Sequence, residues 1–383
     1  MGTTTMDFTL DDDLVEAKKL AASIFADMAD ADRVKHIENH DAGHDAKLWS
    51  TLADAGMLGI ALPEPLGGSG LGMFGLICLL EEQGRKVAPI PLWSVIAGAA
   101  MPIAQFGTAA QQQRWLPGII NGTALVTGAA HHGPLRAAAD GAGRWLLRGD
   151  LAIVAAAPVA DAVLTPVTLP EGSHRLVIVP TDRRGVTCTP AQCTDRLNAG
   201  TLSFDAVPID NTDLLGEAEL TTERDAIAFT VSRCQIALAG LQAGVCTQAL
   251  HTTAAYTSQR IQFGRPLSTN QAVAVRAADA YLDTEAIKLT AQRAAWLIDT
   301  VSDDTPAVRT AALVAKWWAS RAGLRVVHAT QHLHGGIGAD IDYPIHRYFL
   351  WGRQIAFSLG TAAAVAADLG AMLPTAPPIG AAK

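Results

Sequence analysis

Apolar positions recur at helical spacing at both ends of the chain and give way to short alternating runs in the middle. Residues 7 to about 40 predict an amphipathic helix starting after Thr9 or Asp11, with Leu14, Ala17, Leu20 and Ile24 on one stripe. A short helix follows from Leu48 to Ala55 and is closed by Gly56. Leu62 to Gly70 is a loop by composition, and further helices are expected over 74–86, 92–106 and 109–120. From about Thr123 the period changes. Residues 145–149, 151–155, 162–167, 175–179, 185–189, 202–204 and Val207 form short branched or alternating runs, separated by Gly, Pro or Asp. From about Thr222 to Leu373 the pattern is helical again in four or five long segments, and the Ala/Pro/Gly-rich end frays. The expected fold is mostly α with a central β domain. It has an N-terminal α-helical domain (1–122), a middle β barrel or sandwich of seven or eight strands (123–221) and a C-terminal antiparallel four-helix bundle (222–383) through which chains associate.

Composition narrows the function classes. A net charge of -8 without a long basic run argues against nucleic acid, so an anionic ligand needs local cations. Neither a basic-then-apolar leader nor an apolar run of membrane-spanning length is apparent, which predicts no membrane role. The five cysteines lack metal-ligand spacing. Cys188 and Cys193 could pair geometrically, but reduced thiols and a cytoplasmic address are expected.

Two stretches carry candidate chemistry. Tyr256 to Gln271 (YTSQRIQFGRPLSTNQ) ends a long apolar helix pattern, with Arg260 near its end. Phe263-Gly264 then breaks the period and Pro266 keeps the helix from resuming. An arginine fork beside an aromatic face and a glycine suits a phosphate attached to a flat ring system. The plainer reading is a helix end with its arginine in solvent. His332 to Gly338 (HLHGGIG) ends a second helix, roughly Arg309 to Thr330, and its Gly-Gly step lets backbone N–H groups approach an anion.

Arg-x-x-Phe-Gly and His-Gly-Gly-x-Gly, about seventy residues apart and each ending a helix, resemble the C-terminal half of the acyl-CoA dehydrogenase family. The run of Trp-x-x-Leu, Ala-Gly, Leu-Pro-Glu-x-x-Gly-Gly-Ser-Gly and Phe-Gly-Thr with Gln111 is similar to the N-terminal domain of that family. The resemblance implies FAD held across a subunit interface, an acyl-CoA substrate, and an electron-transfer flavoprotein as electron acceptor. It implies that Arg260, Phe263, Gly264, Gln271, His332, Gly335, Gly336 and Thr361 bind the cofactor, chiefly its ADP half. His332 stands where most members have glutamine; donation to a ribose or phosphate and packing at a helix end are equally open for it.

The places of chemistry depart from the family pattern. Its catalytic glutamate usually precedes a Gly-Thr step, and that position here is Leu359. A second family position, twenty-nine residues before the motif Phe, is Cys234. The loop that holds the flavin ring corresponds to residues 127–134, without the Glu-Pro and Ser-Asp features of relatives. Its His131-His132 pair reads as solvated imidazoles rather than a metal site. In the ring-holding strand Ile153 replaces a Trp and Ala155 a Thr. The whole pattern is similar to the non-catalytic chain of heteromeric α2β2 acyl-CoA dehydrogenases that shorten steroid side chains in actinobacteria, and the Asp342–Leu350 segment (DYPIHRYFL) strengthens that likeness. Three readings follow. The first is a subunit without a base that completes a catalytic partner; the second is a self-sufficient flavoenzyme with a displaced base such as Cys234, Asp342 or a carboxylate on the N-terminal half. The third is a flavin-free assembly or acyl-binding protein.

Overall fold

The computed structural model describes residues 7–40, 43–130, 133, 135–141, 144–217, 225–300 and 305–372. The chain forms two compact units that interleave in sequence. One takes the chain up to Lys18, Ile77–Val87 and everything from Gln235 onward; the other takes Lys19–Leu76 and Ala88–Cys234.

Among the described residues, six α-helices precede the sheet: α1 (Asp12–Met28), α2 (Ala31–His40), α3 (Ala46–Asp54), α4 (Gly72–Lys86), α5 (Leu92–Phe106) and α6 (Ala109–Ile120). The single helix expected over residues 7 to 40 is broken because the Asp30 carboxylate accepts the Arg33 backbone N–H at 2.8 Å and starts a new helix there. In α6 the cap is legible in the sequence: Thr108 and Gln111 form a reciprocal capping box. The Gln111 amide also donates to the carbonyls of Thr212 and Leu214 at 3.0 and 2.8 Å, which ties α6 to the chain leaving the sheet.

Among the described residues the sheet has seven strands: β1 (Val126–Gly128), β2 (Leu135–Gly141), β3 (Arg144–Ala155), β4 (Ala162–Thr168), β5 (His174–Pro180), β6 (Val186–Gln192) and β7 (Asn198–Ile209). Their order is β1-β4-β2-β3-β7-β6, with β5 on the other edge of β4. One face buries Leu147, Leu151, Val163, Val177, Leu202 and Phe204, the branched residues that set the two-residue period. The pairing of β3 with β7 shifts register between Leu151 and Val154, so β3 bulges within the strand expected to meet a flavin ring.

The other unit is helical: α7 (Ala226–Gln259), α8 (Gln271–Thr300), α9 (Pro306–Leu333), α10 (Ile345–Phe357) and α11 (Ala362–Met372), with a small β8–β9 hairpin (Ile261–Gln262, Arg265–Pro266) between α7 and α8. Glycines let α4 and α7 touch backbone to backbone. A Cβ on Gly84 would lie 2.2 Å from the Leu241 carbonyl oxygen, and one on Gly244 would lie 1.9 Å from that of Glu81. Two stretches, Ala226–Gln259 and Ile345–Met372, are long and apolar enough to cross a membrane by length and composition, contrary to expectation. The first is mostly buried inside the protein, and the second is broken at the turn from Ser358 to Thr361.

Candidate functional site

The end of α7 carries an exposed arginine. The Arg260 backbone N–H still donates to Tyr256 at 2.9 Å, while its guanidinium has no partner among the described residues. The chain then reverses through the β8–β9 hairpin, whose two central residues, Phe263 and Gly264, have φ of 55° and 75°. Positive φ at both positions is the two-residue turn whose twist matches the flanking strands, and it ordinarily selects Asn, Asp or Gly. Phenylalanine in that region is strained, and Phe263 is also 92% exposed. A strained aromatic pointing into water has no rationale within its own chain, and such outliers gather at functional sites.

At the end of α9 the chain turns through Gly335, with φ of 65°, and Gly336. A Cβ on either glycine would meet nothing within 4 Å, so their backbone faces open space. His334, immediately before them, is 3% exposed. Its Nδ1 lies 2.8 Å from the Thr330 carbonyl, which can only accept, so Nδ1 carries the proton. Burial lowers the pKa of the ring, which keeps it neutral. The His334 ring stacks on Tyr256 at 4.5 Å, and the Tyr256 hydroxyl donates to the His334 carbonyl at 3.4 Å. The turn bearing Arg260 and the turn bearing Gly335–Gly336 are thereby joined.

The remaining expected site residues lie on three different elements. His332 is exposed in the last turn of α9, and Gln271 is the exposed first residue of α8. Gln271 opens a groove of about 1090 Å³ between α8 and α9, which Arg276, Arg321, Arg325 and His328 also line. The Thr361 hydroxyl accepts the Ala364 backbone N–H at 3.2 Å, so it caps α11. Arg260, Phe263, Gly264, Gln271, His332, Gly335, Gly336 and Thr361 are all exposed.

Leu359, where relatives carry the base, is buried and has φ of 54°. Its loop is held by Lys316, a lysine of zero exposure whose ammonium donates to Ser320 Oγ and to the carbonyls of Ile355 and Gly360. Burial pushes the Lys316 pKa down to about 7, against 10.5 in an open chain. Between those values the unfolded chain binds the extra proton, so stability rises with pH across the window and falls as pH drops toward 7. Lys316→Met removes this group. The difference in melting midpoint between the parent and this variant is expected to grow in the parent's favour from pH 7 to pH 9. A constant difference would mean that Lys316 titrates as in an open chain.

The places expected to meet a flavin ring lie in the sheet unit. Ile153 sits on the β3 bulge with φ of 56° and is 44% exposed. Ala155 uses its carbonyl to accept the Thr127 hydroxyl at 2.7 Å. Cys234 is buried near Gly98, and burial pushes its thiol up to about 12, so it holds its proton at neutral pH. Of the expected ring loop, His131, His132 and Pro134 lie outside the described residues. Asp342, the other candidate base, is exposed, and its backbone N–H donates to the Asp340 carboxylate at 2.9 Å.

Sequence reading missed two residues that shape these sites. Lys316 was detectable as a lone cation on the apolar stripe of Ala312, Ala319 and Gly323. The role of Tyr256 was not, because its partner is 78 residues away.

Comparison with known proteins agrees with this architecture. The sequence profile of the acyl-CoA dehydrogenase N-terminal domain matches residues 15–123, and that of the C-terminal domain matches residues 226–371. The acyl-CoA dehydrogenase FadE27 of Mycobacterium tuberculosis is 33% identical over 368 residues, covering 93% of this chain and 96% of FadE27. Among solved structures, the Tcur3481-Tcur3483 steroid ACAD has a chain 43% identical to this one, with a TM-score of 0.87, covering 96% of this chain and 99% of that one. The ChsE4-ChsE5 complex of Mycobacterium tuberculosis has a chain 31% identical, with a TM-score of 0.90, covering 97% of this chain and 100% of that one. With both domain profiles matched and a relative of this similarity aligned over nearly its full length, the chain belongs to the acyl-CoA dehydrogenase family.

Proposed function

We propose that this chain is the non-catalytic subunit of a heteromeric acyl-CoA dehydrogenase, an α2β2 assembly acting on a steroid side-chain CoA thioester. In this reading it supplies the receiver for the ADP half of an FAD whose ring lies in a catalytic partner. The observation that carries the reading is the strained, water-exposed Phe263 beside the guanidinium of Arg260, which has no partner among the described residues. Arg260 and the open backbone of Gly335–Gly336 fit a diphosphate, and Phe263 offers a flat apolar face. FAD, when bound, supplies the acceptor for the β-hydride of the acyl group, and an electron-transfer flavoprotein would take the electrons onward.

The groups in the two base positions cannot remove an α-proton. Leu359 has no basic atom, and the Cys234 thiol remains protonated well above neutral pH. Ile153 and Ala155 offer a ring only hydrocarbon and backbone groups. That the solved relatives come from two-protein complexes supports a partner. A further support is α8, whose Val275, Leu282 and Leu289 recur every seven residues and are all exposed, the spacing of a helix seam that another helix covers. The five cysteines are all free, with Cys78, Cys234 and Cys246 buried, which supports a cytoplasmic address.

The test is the flavin content of the chain purified alone and purified with the dehydrogenase encoded beside it. Two flavins per four chains, only on co-expression, are expected. A yellow homo-oligomer that oxidises an acyl-CoA would end the proposal. Restoring the acid by Leu359→Glu is expected to give no turnover in the lone chain, because the ring-holding strand is altered as well. Measurable acyl-CoA oxidation by that single variant would show that Ile153 and Ala155 still serve a ring.

A further inference from the structure

The two parts of the nucleotide receiver have little packing of their own. Phe263 and Gly264 project into water, and nothing lies within 4 Å of where a Cβ would stand on Gly264, Gly335 or Gly336. Yet a diphosphate is held tightly only if the guanidinium and the backbone N–H groups keep a fixed separation. What fixes it has to sit just behind them.

Three rings from three elements meet there. Tyr256, one helical turn before Arg260, stacks on His334 with an interplanar angle of 23°, and His334 directly precedes Gly335. Tyr343, which leads into α10, lies 5.3 Å from His334 and 6.4 Å from Tyr256. His334 is locked from both sides: its Nδ1 donates to Thr330, and its carbonyl accepts from the Tyr256 hydroxyl. The two bonds act on different atoms, one on the ring and one on the backbone.

We propose that the Tyr256–His334 stack, with Tyr343 set edge-on beside it, is the positioning device that sets the spacing between Arg260 and the Gly335–Gly336 backbone, making one rigid receptor for a nucleotide diphosphate. A ring stack suits this task better than aliphatic contacts. Two flat faces resist tilting, and an aromatic pair has a geometric preference beyond the area it buries. The plain alternative is that the rings merely close the end of the helical unit. In that case replacing them lowers the melting temperature and leaves ligand affinity alone.

The inference rests on the reading of this surface as the receiver for the ADP half of FAD, and the experiment separates the two. The probe is FAD, titrated onto the assembly of the full chain with its co-expressed partner, with the melting midpoint recorded in parallel. Arg260→Ala tests the receiver itself; Tyr256→Leu and Tyr256→Phe test the stack. Tyr256→Leu is expected to raise the dissociation constant roughly fivefold to tenfold, and Tyr256→Phe, which keeps the stacked face, to recover most of that loss. In the Arg260→Ala background, Tyr256→Leu is expected to cost less than about half of its effect in the parent, since the two act on one interaction. A weakened Arg260→Ala beside a Tyr256→Leu that only melts earlier would overturn the stack and leave the receiver standing. An Arg260→Ala with unchanged affinity would overturn both. Should Tyr256→Leu fail to fold, Tyr343→Leu against Tyr343→Phe reads the edge-on ring of the same cluster. A loss of roughly twofold to threefold for the leucine alone is expected there, and equal affinity would sink the proposal.

Discussion

Gly244→Ala is expected to lower the melting temperature of the chain by about 2–5 °C. Alanine ordinarily helps a helix, by about 1 kcal/mol relative to glycine. Here the added methyl would stand 1.9 Å from the Glu81 carbonyl oxygen, and Gly84 on the facing helix is as tightly placed against Leu241. These are backbone atoms and cannot rotate aside, so α4 and α7 must part by more than an ångström. Gly240 against Ile77 and the pairs of Glu81 with Lys18 at 2.6 Å and Lys288 at 3.9 Å would then be disturbed together. Overpacking of this kind costs about 3 kcal/mol, and the net loss follows after the propensity gain. Gly370→Ala provides the contrast. It lies in α11, is exposed, and has nothing within 4 Å of the new methyl, so only the propensity gain should appear. Equal melting temperatures for the two variants would show that α4 and α7 are farther apart in solution.

Arg260→Ala carries the second large effect, in the assembly with the partner. A charge-assisted contact to phosphate contributes about 1.5–3 kcal/mol. Its loss should weaken flavin retention roughly tenfold to hundredfold. Because Arg260 is exposed, the penalty should shrink as salt is raised. Arg260→Lys should fall between, since it keeps a charge and loses the planar fork. Undiminished flavin in the alanine variant would mean that other groups hold the tail.

The sequence announced elements whose signals are local. The start of α6 follows from Thr108 and Gln111, and β3 to β7 coincide with the short alternating runs, whereas β1 and β2 lie outside them. The break at Asp30 was equally local but was overlooked, because the apolar stripe of α1 and α2 runs on past it. The hairpin at Phe263-Gly264 was legible as a break yet not as a tight reversal, since phenylalanine is no turn former. The crossing of α4 and α7 was not legible: glycines at 84 and 244 mark close approach, but one sequence does not tell which two helices meet. Of the candidate site, the arginine and the glycine pair stood out by type and spacing. The rings that join them did not, because tyrosine and histidine on an apolar helix look like ordinary core.

The exposed seam of Val275, Leu282 and Leu289 on α8 has a bearing on how the cell must make this protein. A copy that never meets a companion keeps those side chains, and the bare Phe263 ring, in water, where chaperones and proteases recognise greasy surface. Orphans of this kind are short-lived. In the proposed assembly, output of the two polypeptides therefore has to be matched, and the supply of one limits how much of the other survives.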